Sequence, residues 1–213
     1  ANYLFVQSKF AGRKIVCSAE VSNNTGAAFT GKVSYAVTDR QGGEVSAVGE
    51  AQLSLAPGET REVPVTGSAA KLTPWFPGKP HLYQIRVVIR DANGKPVDVA
   101  QDTFSYREIT LDGKFVRING KRMNFRSVIT GKGATIEDVV GHWREYNCNT
   151  IRLPHSGWNR HFKKDPQRST LRYCDENGIM VRFNSQINGM FIDLATNSDE
   201  FWQNATGYLV KFT

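Results

Sequence analysis

The chain has 213 residues, with 27 Lys and Arg against 20 Asp and Glu, a formal net charge of +7 and 40% apolar residues. This is a globular composition, long enough for one large or two small domains, and it excludes a fibrous or disordered chain. No run approaches the ~18 consecutive apolar residues of a membrane helix. Ala1-Asn2-Tyr3-Leu4-Phe5 lacks a basic segment leading into an apolar core, so no signal peptide is read there, and the chain looks like a mature, processed or excised piece. Three cysteines, Cys17, Cys148 and Cys174, fit no zinc spacing and are too few for a disulfide scaffold; buried free thiols are expected. Residues 1–106 carry a net +2 and residues 107–213 a net +5. The excess is scattered, without a nucleic-acid-binding signature, and reads as a solvated basic surface.

In chain order, residues 14–21 alternate with Ile15, Cys17, Ala19 and Val21 on one face. Residues 32–38 repeat the pattern with Val33, Tyr35 and Val37, and Gln41-Gly42-Gly43 reads as a turn. Strands are expected at 44–55 and 60–65, split by Ala56-Pro57-Gly58-Glu59, and again at 81–91 and 97–106 around Asp91-Ala92-Asn93-Gly94. Short strands with such turns predict an immunoglobulin-like β-sandwich of about seven strands over residues 1–107.

The period then changes. Asn119-Gly120 between residues 115–118 and 121–125 is a strong hairpin signal. A short strand follows at 126–129, then a helix at 134–146 with Thr135 as its cap and Ile136, Val139, Val140 and Trp143 on one face. Residues 149–153 read as a strand. Residues 165–176 read as a helix with Pro166 in its first turn, ended by Asn177-Gly178. A strand at 179–183 and a helix from Ser198 complete a βαβαβα order. That order implies a parallel sheet with right-handed crossovers, whose edges need covering.

Three runs carry a family resemblance: Leu72-Thr73-Pro74-Trp75-Phe76-Pro77-Gly78-Lys79-Pro80-His81-Leu82-Tyr83; Ile118-Asn119-Gly120-Lys121-Arg122-Met123-Asn124-Phe125-Arg126; and Asn147-Cys148-Asn149-Thr150-Ile151-Arg152-Leu153-Pro154-His155 followed by Tyr173-Cys174-Asp175-Glu176-Asn177-Gly178-Ile179-Met180-Val181. In order and spacing they resemble glycoside hydrolase family 2, which contains β-galactosidases and β-glucuronidases. The resemblance implies an immunoglobulin-like middle domain at 1–107 and the first three βα units of a TIM barrel at 108–213. It implies a retaining exo-β-glycosidase whose general acid/base and nucleophile glutamates follow later barrel strands, so no catalytic residue is expected within this chain. Ser127 stands where the family has Gly, and Phe183-Asn184-Ser185-Gln186 stands where it often has an acidic run that helps to bind magnesium. No metal or other cofactor is expected.

Barrel enzymes place their sites at the C-terminal ends of the strands. Arg152 and His155 are therefore the leading substrate-site candidates, the first to anchor carboxylates and the second to bond sugar hydroxyls. Asn184 and Gln186, after the third strand, could bond hydroxyls or cap a loop. Trp158 could stack on a pyranose or pack under a loop. Arg126 is either a site residue or a structural brace. Trp75 reads as sandwich core or an interdomain plug. Asn23-Asn24-Thr25 and Asn204-Ala205-Thr206 match glycosylation acceptors.

Two functions stay open: part of a β-glycosidase, or a non-catalytic carbohydrate-binding or scaffolding module. The partners expected are a carbohydrate and either the rest of the barrel or a second copy of the chain, with neither nucleic acid nor membrane. A periplasmic or secreted location is favoured over a cytoplasmic one.

Overall fold

The computed structural model describes residues 3–40, 43–129, 141, 143, 145–153 and 166–183. They fall into two compact units, residues 1–124 with 175–178, and residues 125–174 with 179–213.

The first unit holds seven sandwich strands: β1 (Tyr3–Lys9), β2 (Lys14–Ser22), β3 (Phe29–Thr38), β4 (Glu44–Leu55), β5 (Thr60–Ser68), β6 (Tyr83–Asp91) and β7 (Pro96–Phe104). They form two antiparallel sheets, ordered β1-β2-β5 and β4-β3-β6-β7. This is the strand distribution of an immunoglobulin-like sandwich. The alternation expected in β2 and β3 is present: Ile15, Cys17, Ala19, Val33 and Val37 are fully buried, with Val21 and Tyr35 nearly so. Together with Leu53, Leu55, Ile85 and Val87 they make one core between the sheets.

β1 was not apparent in the pattern. Tyr3-Leu4-Phe5-Val6 is apolar on both faces, so its period of two is hidden, and the strand is defined by its pairing with β2. Between Tyr35 and Ala36 the β3–β4 register shifts, and Val48 becomes the extra residue beside Gly49, whose φ is 141°. A bulge of this kind re-aims a side chain. Val48 points into the core, and a Cβ on Gly67 of β5 would lie 2.6 Å from its Cγ1. Only glycine leaves that space.

A small sheet ordered β10-β9-β8 follows, from β8 (Ile109–Asp112), β9 (Phe115–Ile118) and β10 (Lys121–Met123). The expected Asn119-Gly120 turn joins β9 to β10, with φ of 49° and 75°. Both values are positive, as a two-residue type I′ hairpin requires. β8, four exposed residues long, is too short to show a pattern and exists through its ladder to β9.

In the second unit β11 (Ser127–Ile129), β12 (Thr150–Leu153) and β13 (Met180–Phe183) form a parallel sheet in that order. Helix α1 (Pro166–Asn177) connects β12 to β13. Its end is a Schellman motif: Ile179 N–H donates to Cys174 O and Gly178 N–H to Asp175 O, with Gly178 at φ 70°. Of the helix expected at 134–146, residues 141, 143, 145 and 146 are described; the first three are helical and Tyr146 lies in a turn. The helix expected from Ser198 and the turn at Gln41-Gly42 lie outside the described residues. Cys17 and Cys174 are buried and in no disulfide, whereas Cys148 is half-buried, because it sits in the turn before β12 rather than on an inward strand face.

Candidate functional site

Parallel pairing puts the C-terminal ends of β11, β12 and β13, at Ile129, Leu153 and Phe183, along one edge of the sheet. Ile151, fully buried, anchors the middle strand. Arg152 is the penultimate residue of β12, paired in register with Ile129 and Arg182. Of Arg152 the backbone is described; His155, Trp158, Asn184 and Gln186 lie outside the described residues, as does Asn204.

Arg126 occupies the opposite end. It precedes β11, and its guanidinium donates to Asn147 O at 2.7 Å and Asn147 Oδ1 at 3.4 Å. Its N–H donates to Asn149 Oδ1, its carbonyl accepts the Asn149 and Thr150 N–H groups, and Asn149 O accepts the Met180 N–H. Asn147 holds a left-handed turn at φ 51°. The two asparagines of Asn147-Cys148-Asn149 therefore stitch together the N-terminal ends of three strands, and Arg126 braces that stitch. An Asn tolerates the left-handed region and supplies both a donor and an acceptor.

In the first unit, Trp75 is fully buried within a hydrogen-bonded cluster. Its N–H donates to Tyr106 O and its indole N–H to Asp175 O at 2.8 Å. Arg107 stacks over the ring, 4.5 Å from its centroid, and pairs with Asp175 at 2.6 Å. Asn119 Nδ2 donates to Trp75 O at 2.9 Å, and Asn119 Oδ1 accepts the Glu108 N–H at 2.8 Å. The sequence pattern marks Asn119 only as a turn former. Its second role depends on a contact 44 residues away that no local pattern signals.

Retaining glycoside hydrolysis needs two free carboxyl groups ~5–5.5 Å apart. Among the described carboxylates of residues 126–213, Asp175 is held by Arg107 and Glu176 by Arg40, and Glu145 is exposed on the helical segment before β12. Among the described residues no group of three His, Cys, Asp or Glu could hold a metal ion, and no helix is long and apolar enough to cross a membrane. The acceptor-like Asn23 is buried, its amide donating to Ala27 O, Leu55 O and Ala56 O while its Oδ1 accepts from Thr25. It is a loop brace and offers no amide to a glycan.

The Glycosyl hydrolases family 2 profile matches residues 2–107. The chain is 29% identical over 119 residues to the β-galactosidase large subunit of Lactobacillus acidophilus, covering 50% of this chain and 18% of that protein. It is 26% identical over 166 residues to the β-galactosidase of Streptococcus thermophilus, covering 70% of this chain and 14% of that one. Among solved structures, a GH2 β-galacturonidase from Eisenbergiella tayi bound to galacturonate superposes with a TM-score of 0.66 at 19% identity, over 85% of this chain and 32% of that chain. A β-glucuronidase from Bacteroides uniformis superposes at 0.59 and 20% identity, over 79% of this chain and 20% of that chain. The chain thus spans less than a third of each of these relatives, and the likeness to the solved structures is one of fold.

Proposed function

Because the chain belongs to glycosyl hydrolases family 2, we propose that it forms part of a retaining exo-β-glycosidase that releases terminal β-linked sugars. In this reading residues 1–107 are the immunoglobulin-like middle domain, and residues 108–213 begin a TIM barrel with three βα units. The observation that carries the reading is the parallel β11-β12-β13 register, which sets three strand ends side by side with Arg152 next to one of them. Arg152 and His155 would orient the reacting sugar and its carboxylate partners, Asn184 and Gln186 would bond hydroxyls, and Trp158 would stack on the ring. Arg126, bonded to Asn147, would hold the opposite strand ends in register. The two reacting carboxyl groups, one protonating the leaving oxygen and one attacking the anomeric carbon, would come from elsewhere in the longer protein. Sheet edges beyond β11 and β13 would be covered by the rest of the barrel or by a second copy.

The test has two arms. The 213-residue chain, assayed with nitrophenyl β-galactoside, β-glucuronide, β-mannoside and β-glucoside, is expected to give buffer-level rates. The full open reading frame is expected to turn over at least one of them with retention, and Arg152→Ala in it to lower kcat/KM by roughly 10²-fold or more. A full frame with no turnover would favour the non-catalytic module.

A further inference from the structure

The 12 residues 112–123 hold Lys114, Arg117, Lys121 and Arg122 against one acid, Asp112, so a large share of the chain's excess positive charge sits on one hairpin. The register Thr110↔Arg117↔Arg122 and Asp112↔Phe115 puts Asp112, Phe115, Arg117 and Arg122 on one face of the small sheet. Asp112 is occupied, accepting from Arg117 Nε at 2.8 Å and Nη2 at 2.6 Å. Arg122 and Lys114 pair with no carboxylate among the described residues. Both instead pack against Phe115, with the Arg122 Cζ 3.7 Å and the Lys114 Nζ 5.6 Å from the ring centroid. Lys121 lies over Phe76 at 5.2 Å. Long cationic side chains normally lose considerable rotamer freedom when they bind. Here aromatic faces already hold them, and among the described residues no acceptor takes their N–H groups.

We infer that this hairpin face, built on Phe115 and presenting Arg122 and Lys114, binds an acidic polysaccharide, a chain with repeated carboxylates. A guanidinium fork takes a carboxylate in a bidentate pair, and a neighbouring ammonium takes the next as a point charge. A single-stranded nucleic acid fits less well, because its bases need open aromatic faces to stack on and the Phe115 ring already carries two cations. The choice of a glycan rests on the glycosidase reading; the binding itself is measured without any hydrolysis.

The experiment titrates the full 213-residue chain with polygalacturonate at low salt, with neutral dextran and a single-stranded oligonucleotide alongside. Polygalacturonate is expected to bind and to be released by salt, dextran not to bind, and the oligonucleotide to bind more weakly. Lys114→Ala with Arg122→Ala is expected to weaken polygalacturonate roughly tenfold or more. Phe115→Leu, which keeps every charge, is expected to weaken it about two- to fivefold. The control pair Lys9→Ala with Lys14→Ala, exposed on the sandwich, removes the same charge and is expected to change little. Equal losses in the two pairs, or undiminished binding by the hairpin pair with its thermal transition intact, would overturn the inference. So would an oligonucleotide bound as tightly as polygalacturonate.

Discussion

Replacing Asn119 tests how the hairpin is fastened to the sandwich. Asn119 is 3% exposed, has φ 49°, and spends both ends of its amide on Trp75 O and Glu108 N–H. Asn119→Ala puts a Cβ-bearing residue that cannot bond locally into the left-handed region, costing about 1 kcal/mol. It also leaves a buried carbonyl and a partly buried N–H without partners, at about 1–2 kcal/mol each. The sum is about 3–5 kcal/mol, a large part of the stability of an ordinary domain. Asn119→Gly loses the same bonds without the backbone penalty and is expected to be about 1 kcal/mol milder. Urea unfolding followed by tryptophan fluorescence measures both, and hydrogen exchange at the Glu108 amide reports the broken bond directly. A loss below 1 kcal/mol for Asn119→Ala, or a Glu108 amide still protected in it, would show that the side chain does not fasten the hairpin.

Three further outcomes are expected. Gly178→Ala adds the left-handed cost of about 1–2 kcal/mol and sets a Cβ 2.7 Å from Gly78 N, so its urea midpoint should fall clearly; an unchanged midpoint would mean that the helix end is not packed as described. Burial pushes the Cys17 thiol up to about 12, and burial first, then the nearby Cys17 and Glu62, pushes Tyr35 up to about 12. Both are held neutral by the fold, so their contribution is complete below pH ~9 and is lost as pH rises towards 12; stability that stays flat over this range in unfolding titrations would contradict it. Limited proteolysis should leave a stable piece ending near residue 124, where the first compact unit ends, whereas a piece ending near 110 would show that the hairpin is not held to the sandwich.

Much of the fold can be read locally because its causes are local. Ile15, Cys17, Ala19 and Val21 alternate at the strand period, Asn119-Gly120 supplies two positive φ values, and Gly178 closes a helix as only a residue at ease in the left-handed region does. Among the candidate site residues, Arg126 has two readings in the sequence, and in the fold its guanidinium bonds Asn147. Residue type alone could not decide this, because an arginine fork suits a substrate carboxylate and a backbone carbonyl equally well. Asn23 shows the same limit: a three-residue acceptor pattern says nothing about the Leu55 and Ala56 carbonyls that claim its amide. Sheet order, the Val48 bulge opposite Gly67, and the partners of Asn119 likewise belong to the tertiary structure. Each joins residues tens of positions apart, where the choice of partner depends on which surfaces the folded chain brings together rather than on the dihedral preferences of the residues themselves.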